Sequence, residues 1–202
     1  PYGNTMGRTN ACYFNLAKCL ELAMFDGVCQ MSGRQMGPKT GKFEDFDSFE
    51  QVQKAYEAQV EYFVKMMVSS LNAIEKLHAD YGPHIYCSML LDGCMESGRD
   101  CTRGGAKYDF TGVQGVGVAD VGDSLTAIKK LVFEEKRVSK EELLEGMRTN
   151  FEANPLLRHV LLNRAPKYGN DLEEADQMAA WAGEQYCRCV RGYTSPGGGR
   201  YR

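Results

Sequence analysis

Eight cysteines and three histidines are the residues of this sequence best suited to metal or redox chemistry. A structural zinc site needs clustered ligands, such as two pairs of closely spaced cysteines. The nearest approach is Cys187 with Cys189, and two positions apart on a helix the sulfurs point about 200° away from each other. The histidines are isolated, at His78, His84 and His159. The pattern favours reduced cysteines that pack as small apolar side chains in a cytosolic protein, rather than metal ligands or disulfides.

Three glycines, Gly112, Gly115 and Gly117, could cradle a phosphate where a predicted strand meets a predicted helix. Their order is G-x-x-G-x-G, whereas a dinucleotide-binding turn has G-x-G-x-x-G and an acidic residue at the end of a second strand. No G-K-[ST] sequence accompanies them. A tight strand-to-helix turn is therefore the favoured interpretation.

No nucleophile with its base is evident from residue spacing. Ser88 lacks the surrounding G-x-S-x-G pattern of a nucleophile elbow. Several charged residues could transfer a proton or clamp a carboxylate, but a solvated turn residue is the favoured interpretation of each. These residues are Asp92, Glu96, Asp100, Arg8, Arg99 and Arg103. Spacing alone thus predicts no complete active site.

The composition is that of a folded, water-soluble protein. Of 202 residues, 43% are apolar and 25% are charged, and the formal net charge is −3. A net negative chain has no global positive field to attract nucleic acid or an anionic membrane surface. No apolar run approaches the roughly 20 residues that span a bilayer. We therefore expect no nucleic-acid partner and no membrane association.

The helices that must position any site follow from apolar spacing. Residues 13–25 have helical periodicity, after a Gly-rich loop at 1–12. A helix of about 30 residues is predicted to start at Asp47, with Glu50 as its reciprocal cap, and to end near Tyr81. The other predicted helices start at Asp120 and at the Ser139–Glu142 capping box, or cover 155–166 and 171–190. Two buried stripes are predicted: Leu125, Ile128, Leu131 and Val132, and Ala175, Met178, Ala182 and Tyr186.

Short apolar runs between the helices predict strands. Residues 85–91 have the pattern of a buried strand. Residues 106–111 and 113–119 are predicted to be extended, with glycines that let another backbone approach closely. Strands that alternate with helices are typical of an α/β fold.

Four blocks of this sequence, in this order and spacing, resemble one known family. They are YFNLAKCLELAMFDG (13–27), GPKTGKFEDFDSFEQVQKAYEAQVEYFV (37–64), GGAKYDFTGVQGVGVADVGDSLTAIKKLVFEE (104–135) and APKYGNDLEEAD (165–176). The family is that of the glycyl radical enzymes related to pyruvate formate-lyase. The resemblance is strongest to its branch of diol dehydratases, choline trimethylamine-lyase and other C–X lyases.

The resemblance implies a ten-stranded α/β barrel of the pyruvate formate-lyase type, of which residues 1–202 would be a partial, helix-rich, internal segment of a single domain. It places the thiyl Cys-x-Glu loop just before Pro1 and the glycyl radical domain beyond Arg202. No catalytic residue is therefore expected among these residues, which should be inactive alone. The R-G-Y at 191–193 mimics the R-V-x-G-Y radical motif, but its place after the PKYGND helix matches the middle of the family's chains.

The same resemblance implies a radical mechanism. A separate S-adenosylmethionine-dependent iron–sulfur activating enzyme installs the glycyl radical, which draws a hydrogen atom from the cysteine. The thiyl then abstracts hydrogen from a small-molecule substrate, and a neighbouring group leaves with help from the glutamate two residues after the cysteine. The expected assembly is a homodimer in the cytoplasm, or in a bacterial microcompartment within it, with no directly bound cofactor or metal.

Three residues are candidates for substrate binding by this resemblance. Asn10 stands where a diol dehydratase has an aspartate that binds the substrate hydroxyls, and Thr9 and Tyr13 stand where amine lyases place cavity residues. The Asn10 amide can bond a hydroxyl, amide or carboxylate but cannot act as a base. The alternative is that Asn10 caps the helix that follows it.

Three functions remain open at this point. The first is a glycyl radical lyase that eliminates water, an amine or a similar group from a small polar substrate. The second, in the same family, is a formate acetyltransferase acting on pyruvate and coenzyme A. The third is a non-catalytic scaffold or binding protein built from this piece of the barrel.

Overall fold

A computed structural model describes residues 5–202, the side chain of Thr9 excepted. It combines helices with a small sheet, as the alternation of predicted elements indicates. The helices are α1 Leu16–Met24, α2 Phe49–Tyr81, α3 Ile85–Leu90, α4 Cys94–Ser97, α5 Val118–Ala127, α6 Lys140–Arg148, α7 Pro155–Arg164 and α8 Glu173–Val190. The strands are β1 Thr5–Asn15, β2 Tyr108–Val116 and β3 Arg200–Tyr201. Shorter helical turns cover Phe43–Asp45, Cys101–Arg103 and, in π geometry, Ile128–Glu134.

The sheet has the strand order β1-β2-β3. The second and third strands are parallel, with Phe110 opposite Arg200 and Thr111 opposite Tyr201. Arg202 extends this pairing, because its N–H donates to the Thr111 carbonyl and its own carbonyl accepts from Val113, each at 2.9 Å. Parallel pairing across an intervening, largely helical stretch of chain (117–199) is the connection expected of an α/β fold.

The chain divides into two compact units. One, here called the strand unit, contains residues 5–14, 63–114 and 187–202. The other, the helical unit, contains residues 15–62 and 115–186.

Apolar helix faces build the core of the helical unit. Val52, Tyr56 and Val60 along α2 are fully buried, and the Tyr56 ring lies 5.8 Å from the ring of Trp181. Gly122 of α5 lets another helix approach, since a Cβ there would lie 2.7 Å from the Ala179 backbone. The two predicted stripes are confirmed, because all eight of their residues are buried.

The strand unit has a smaller apolar core. Val64 and Val68 of α2 are buried, and a separate cluster joins Cys94, Cys101 and Ala106. Gly104, with φ of +72°, touches the chain before β3, because a Cβ at this position would overlap the Gly197 carbonyl oxygen. Two backbone segments are thus in direct contact there.

The predicted buried strand at 85–91 is wrong, because the structure has α3 over Ile85–Leu90. Its apolar residues are exposed, with Tyr86 at 85% and Leu90 at 78%. A short apolar run is compatible with either element, so periodicity alone does not decide between them. The first turn of α3 is held by a residue outside the helix. The Asp100 carboxylate accepts hydrogen bonds from the His84 N–H and the Ser88 hydroxyl.

The predicted loop at 1–12 is also wrong over its described part, since β1 begins at Thr5. The strand continues to Asn15, whose Oδ1 accepts from the Lys18 N–H at 3.0 Å and caps α1. Asn10 lies five residues before this cap, so the alternative role of Asn10 as the helix cap is wrong. The polar residues of β1 do not show the apolar alternation of a strand, because their hydrogen-bond and ion-pair partners lie in distant parts of the chain.

Smaller corrections concern helix starts. Gln51, rather than Glu50, reaches back to the backbone of Asp47 and Ser48 at the start of α2. The fifth helix begins at Val118, two residues before the predicted Asp120. The Ser139–Glu142 capping box is confirmed, with both reciprocal hydrogen bonds present.

Candidate functional site

Asn10 lies in β1 with an exposed side chain. Its Oδ1 accepts a hydrogen bond from Gln114 Nε2 of β2 at 2.8 Å. The two residues are 104 positions apart in sequence and belong to the same unit. The sheet thus gives the first candidate residue a partner that local sequence reasoning did not identify.

The other two candidates are Tyr13 and Thr9. Tyr13 is 64% exposed, and in the described part of the chain no hydrogen bond joins it to Asn10. The side chain of Thr9 lies outside the described residues. The three candidates therefore share one strand, and their joint role in substrate binding stays a prediction.

Arg8, two residues before Asn10, belongs to a buried ion cluster rather than to an open clamp. Its Nη1 lies 2.6 Å from Asp109 Oδ1, and its Nη2 lies 3.8 Å from Glu75 Oε2. Both carboxylates are only 7% exposed, and Thr111 donates its hydroxyl hydrogen to Glu75. A buried carboxylate is tolerated only when it is paired and hydrogen-bonded. Arg8 is therefore engaged in holding β1, β2 and α2 together.

Tyr201 of β3 lies near this cluster and interacts electrostatically with Glu75 and Arg8. Its hydroxyl donates to Asn72 Oδ1 of α2 at 2.7 Å. Burial, reinforced by the negative charge of Glu75, raises the pKa of Tyr201 to about 12. The phenol stays protonated at neutral pH, so it serves as a donor to Asn72.

A cavity of about 380 Å³ borders this region of the strand unit. Its walls combine apolar residues of α2 with polar and titratable side chains, a mixture suited to a small polar molecule. The residues used below that line it are Arg8, Asn10, Glu75, His78 and His84. Asn10 is thus beside a space of suitable size, and among the described residues that line it Asn10 has the only amide side chain.

Asp100, Ser88 and Glu96, among the other acid and hydroxyl candidates, have structural partners. Burial opposes ionisation of Asp100, but hydrogen bonds from Thr102 and Ser88 outweigh it and lower the pKa of Asp100 to about 2. The Ser88 hydroxyl donates to this carboxylate, which with a pKa of about 2 is too weak a base to activate it. Glu96 accepts from the Gly93 N–H at the start of α4, and Arg103 donates to the Ala79 carbonyl. The favoured interpretation of this stretch as turn residues is in agreement with these contacts.

The glycine pattern also has a structural explanation. A Cβ at Gly115 would lie 2.8 Å from the Tyr186 ring, and Gly117 has φ of +91° immediately before α5. A side chain is excluded at the first position by packing and at the second by backbone conformation. These glycines form the tight strand-to-helix turn that the sequence predicts.

Within residues 5–202, no three histidine, cysteine, aspartate or glutamate side chains are grouped to hold a metal ion. The eight cysteines are free thiols. No helix in the described range is both long enough and apolar enough to cross a membrane.

Sequence reasoning missed three parts of this site: Gln114, the Arg8–Asp109–Glu75 cluster and Tyr201. One signal was present in the sequence. Gln114 is a polar side chain in a predicted extended segment that is otherwise made of Val and Gly up to Val118. The ion cluster joins residues separated by up to 101 positions, and no local pattern reveals such a pairing.

Comparison with known proteins extends the resemblance to the whole chain. The family model described as pyruvate formate lyase-like matches residues 1–202. The chain is 38% identical over 201 residues to the (2S)-3-sulfopropanediol dehydratase of Klebsiella oxytoca, which covers 98% of this chain and 24% of that protein.

Solved structures agree on the fold. The glycerol-bound B12-independent glycerol dehydratase from Clostridium butyricum superposes with a TM-score of 0.92 at 42% identity, over 99% of this chain and 25% of that one. A glycyl radical enzyme from Archaeoglobus fulgidus gives 0.88 at 36% identity, over 100% and 25%. The predicted fold class is confirmed: this is a helix-rich α/β part of the pyruvate formate-lyase type of barrel. The chain spans about a quarter of the length of the relatives it matches, and it belongs to the pyruvate formate lyase-like family.

Proposed function

We propose that this chain is part of a glycyl radical dehydratase or lyase that eliminates water or a similar group from a small polar substrate. The observation that carries the proposal is the match over nearly the whole chain to dehydratases, at 38% identity in sequence and a TM-score of 0.92 in structure. Those proteins are named for sulfopropanediol and glycerol, two small polyols. This favours the lyase over a formate acetyltransferase and over a non-catalytic scaffold.

The radical chemistry would come from a protein glycyl radical installed by an S-adenosylmethionine-dependent iron–sulfur activating enzyme. The part that falls to residues of this chain is the binding and orientation of substrate. For a 1,2-diol, loss of water gives an aldehyde with no net oxidation, so no further reactant is needed. A homodimer in the cytoplasm, or in a microcompartment, is part of the same proposal.

Asn10, Thr9 and Tyr13 are the proposed substrate-binding residues. Support for Asn10 comes from its position beside the cavity of about 380 Å³ and its hydrogen bond to Gln114. A neutral amide binds a polar group without taking its proton. Asn10 would therefore orient substrate, while acid–base catalysis falls to a residue outside this chain.

The test uses the full-length protein that contains this segment, prepared without oxygen together with an activating enzyme. We expect a carbon-centred radical in the electron paramagnetic resonance spectrum, and aldehyde formation from a 1,2-diol such as glycerol or sulfopropanediol. Protein without the activating enzyme is the control. Acetyl-coenzyme A made from pyruvate would instead establish the acetyltransferase, and absence of any radical would establish the scaffold.

A second measurement tests Asn10 itself. We expect Asn10→Ala to raise KM or the substrate Kd about tenfold, the usual cost of one lost hydrogen bond to a polar ligand, while the radical yield after activation stays unchanged. A matched control is Asn163→Ala, because Asn163 is an exposed asparagine whose contacts are confined to His159 on the same helix. An unchanged KM in Asn10→Ala would remove Asn10 from the site.

A further inference from the structure

Another cavity of the strand unit, of about 470 Å³, is lined mainly by β2 with the turn before it and by β3 with the glycines before it. Three of its lining residues are exposed cations: Lys107, Arg200 and Arg202. Asp109 is the one acid among the described residues that line it. The charge of Asp109 is already compensated by Arg8, whose Nη1 lies 2.6 Å from Asp109 Oδ1. The walls therefore carry an excess of positive charge, although the formal net charge of the whole chain is −3.

The alternation of side chains along β3 places two of these cations on one face. Tyr201 is buried and donates to Asn72 of α2, while Arg200 and Arg202 are exposed. Successive side chains of a strand point to opposite faces, so both arginines lie opposite Tyr201, with their Cα atoms about 7 Å apart. Two backbone hydrogen bonds to β2, each of 2.9 Å, hold Arg202 in this register. The arginines are thus positioned by strand pairing.

The three cations keep their hydrogen-bond donors for a ligand. Within residues 5–202, none of them forms an ion pair with a carboxylate. Aromatic rings support two of them: Lys107 Nζ lies 5.7 Å from the centre of the Tyr108 ring, and Arg202 Cζ lies 5.6 Å from that of Phe110. The face of a ring attracts a cation electrostatically and does not use up its N–H groups.

Charge, rather than hydrogen bonding alone, decides which ligand these walls favour. A neutral hydroxyl accepts a hydrogen bond but gains nothing from the net positive charge, whereas every negative charge on a ligand does. Phosphate suits both kinds of cation, because arginine binds two of its oxygens in parallel and lysine binds it as a point charge. Linked phosphates carry more charge than one phosphate and extend over the distance between two arginines. The volume is within the range of small-molecule sites.

We propose that this cavity binds a small polyphosphate through Arg200, Arg202 and Lys107. The shared chemistry is that of pyrophosphate and of a nucleoside diphosphate or triphosphate. Among the described residues, none lines both this cavity and the one beside Asn10. Polyphosphate binding requires neither the glycyl radical nor the substrate, so the inference stands independently of the proposed function.

The test is calorimetric titration of the full-length protein before activation, with pyrophosphate, ADP and inorganic phosphate as probes. We expect pyrophosphate and ADP to bind more tightly than phosphate. Their Kd should rise with salt concentration, because the cations are exposed and their attraction is screened. Arg200→Gln and Arg202→Gln should each raise the Kd of pyrophosphate about tenfold or more, the usual cost of a lost hydrogen bond to a charged group.

Two further variants complete the design. Lys107→Gln lies outside β3 and tests the same cavity from its other wall, with the same expected direction. Arg99→Gln is the matched control, because Arg99 is an exposed arginine of the strand unit that does not line this cavity. All four substitutions replace exposed side chains, so their thermal unfolding midpoints should match that of the wild type.

Absence of pyrophosphate and ADP binding to the wild-type protein at millimolar concentration would overturn the inference. So would an unchanged Kd in the three cavity variants, or an equal rise in Arg99→Gln, which would show general attraction of anions to the surface. Tighter binding of ADP than of pyrophosphate would support the site with a nucleotide as its ligand, and the reverse would support it with pyrophosphate. Polyphosphate binding by a protein that forms no radical would refute the radical lyase alone.

Discussion

The two units of this molecule are stabilised by different interactions. In the helical unit, the largest buried side chains are apolar and interdigitate across helices, as Tyr56 does with Trp181. In the strand unit, a buried cluster of ionised groups joins the sheet to α2, with Arg8 between Asp109 and Glu75. Apolar packing depends little on pH and salt, whereas buried ions are stable only as a complete set. The strand unit should therefore be sensitive to single charge changes that the helical unit tolerates.

The largest expected effect comes from Arg8→Met. It leaves two carboxylates, each 7% exposed, without their cation. Breaking a buried pair by removing one partner costs about 3–5 kcal/mol. Hydrogen–deuterium exchange of the full-length protein should show faster exchange in β2 peptides, while α5 peptides are unaffected. Equal loss of protection in both units would contradict the conclusion that buried ion pairs stabilise the strand unit and not the helical unit.

The next largest effect is expected from Leu125→Ala in the helical unit. Leu125 is fully buried, and truncation of such a side chain to alanine costs about 2–5 kcal/mol, through lost apolar burial and the cavity left behind. Here α5 and α8 peptides should lose protection, to the same extent at pH 6 and pH 8. A strong dependence on pH would show that ionised groups also stabilise this unit.

High pH should affect the strand unit first through Tyr201. Its pKa is raised from 10 to about 12, so the folded state favours the protonated phenol. The corresponding stabilisation is complete below pH 10 and is lost as pH rises towards 12. Tyr201→Phe should remove this part of the pH dependence, as followed by exchange in β3 and α2 peptides. Identical pH profiles for the two proteins would assign the loss to other groups.

The smallest effect is expected at an ion pair of the helical unit. Lys18 lies 2.7 Å from Glu21, with side chains 30% and 26% exposed. A pair this open to water is worth less than about 1 kcal/mol, so Lys18→Met should change exchange in α1 only slightly. The same type of substitution at Arg8 and at Lys18 thus compares a buried with a hydrated cation. A large increase in α1 exchange in Lys18→Met would show that a hydrated ion pair can matter as much as the buried one.

The sequence predicts the helical unit better than the strand unit. The Ser139–Glu142 box, the proline at the start of α7 and the buried stripes are local signals, and the structure has them at the predicted residues. The strand β1 was predicted as loop because its polar residues, Arg8 and Asn10, have their partners about 100 positions away. The helix α3 was predicted as a strand because Asp100 fixes its first turn from outside.

The candidate site shows the same limit. Asn10 is named by resemblance, since an isolated asparagine has no chemical signature of its own. Gln114, which donates a hydrogen bond to Asn10, is recognised as its partner only when β1 and β2 lie side by side. Contacts between residues far apart in sequence form only in the folded chain, so local sequence patterns do not predict them.

The contact of Gly104 with Gly197 has a consequence for how this sequence can change over time. A Cβ on Gly104 would overlap the Gly197 carbonyl oxygen, a few residues before the parallel strands β2 and β3 begin. The close contact therefore sets the distance between these two segments. Any larger residue at position 104 would push apart the segments that lead into both strands. An insertion that lengthens either segment would shift Phe110 from its place opposite Arg200. Lineages that keep this sheet are therefore expected to keep Gly104.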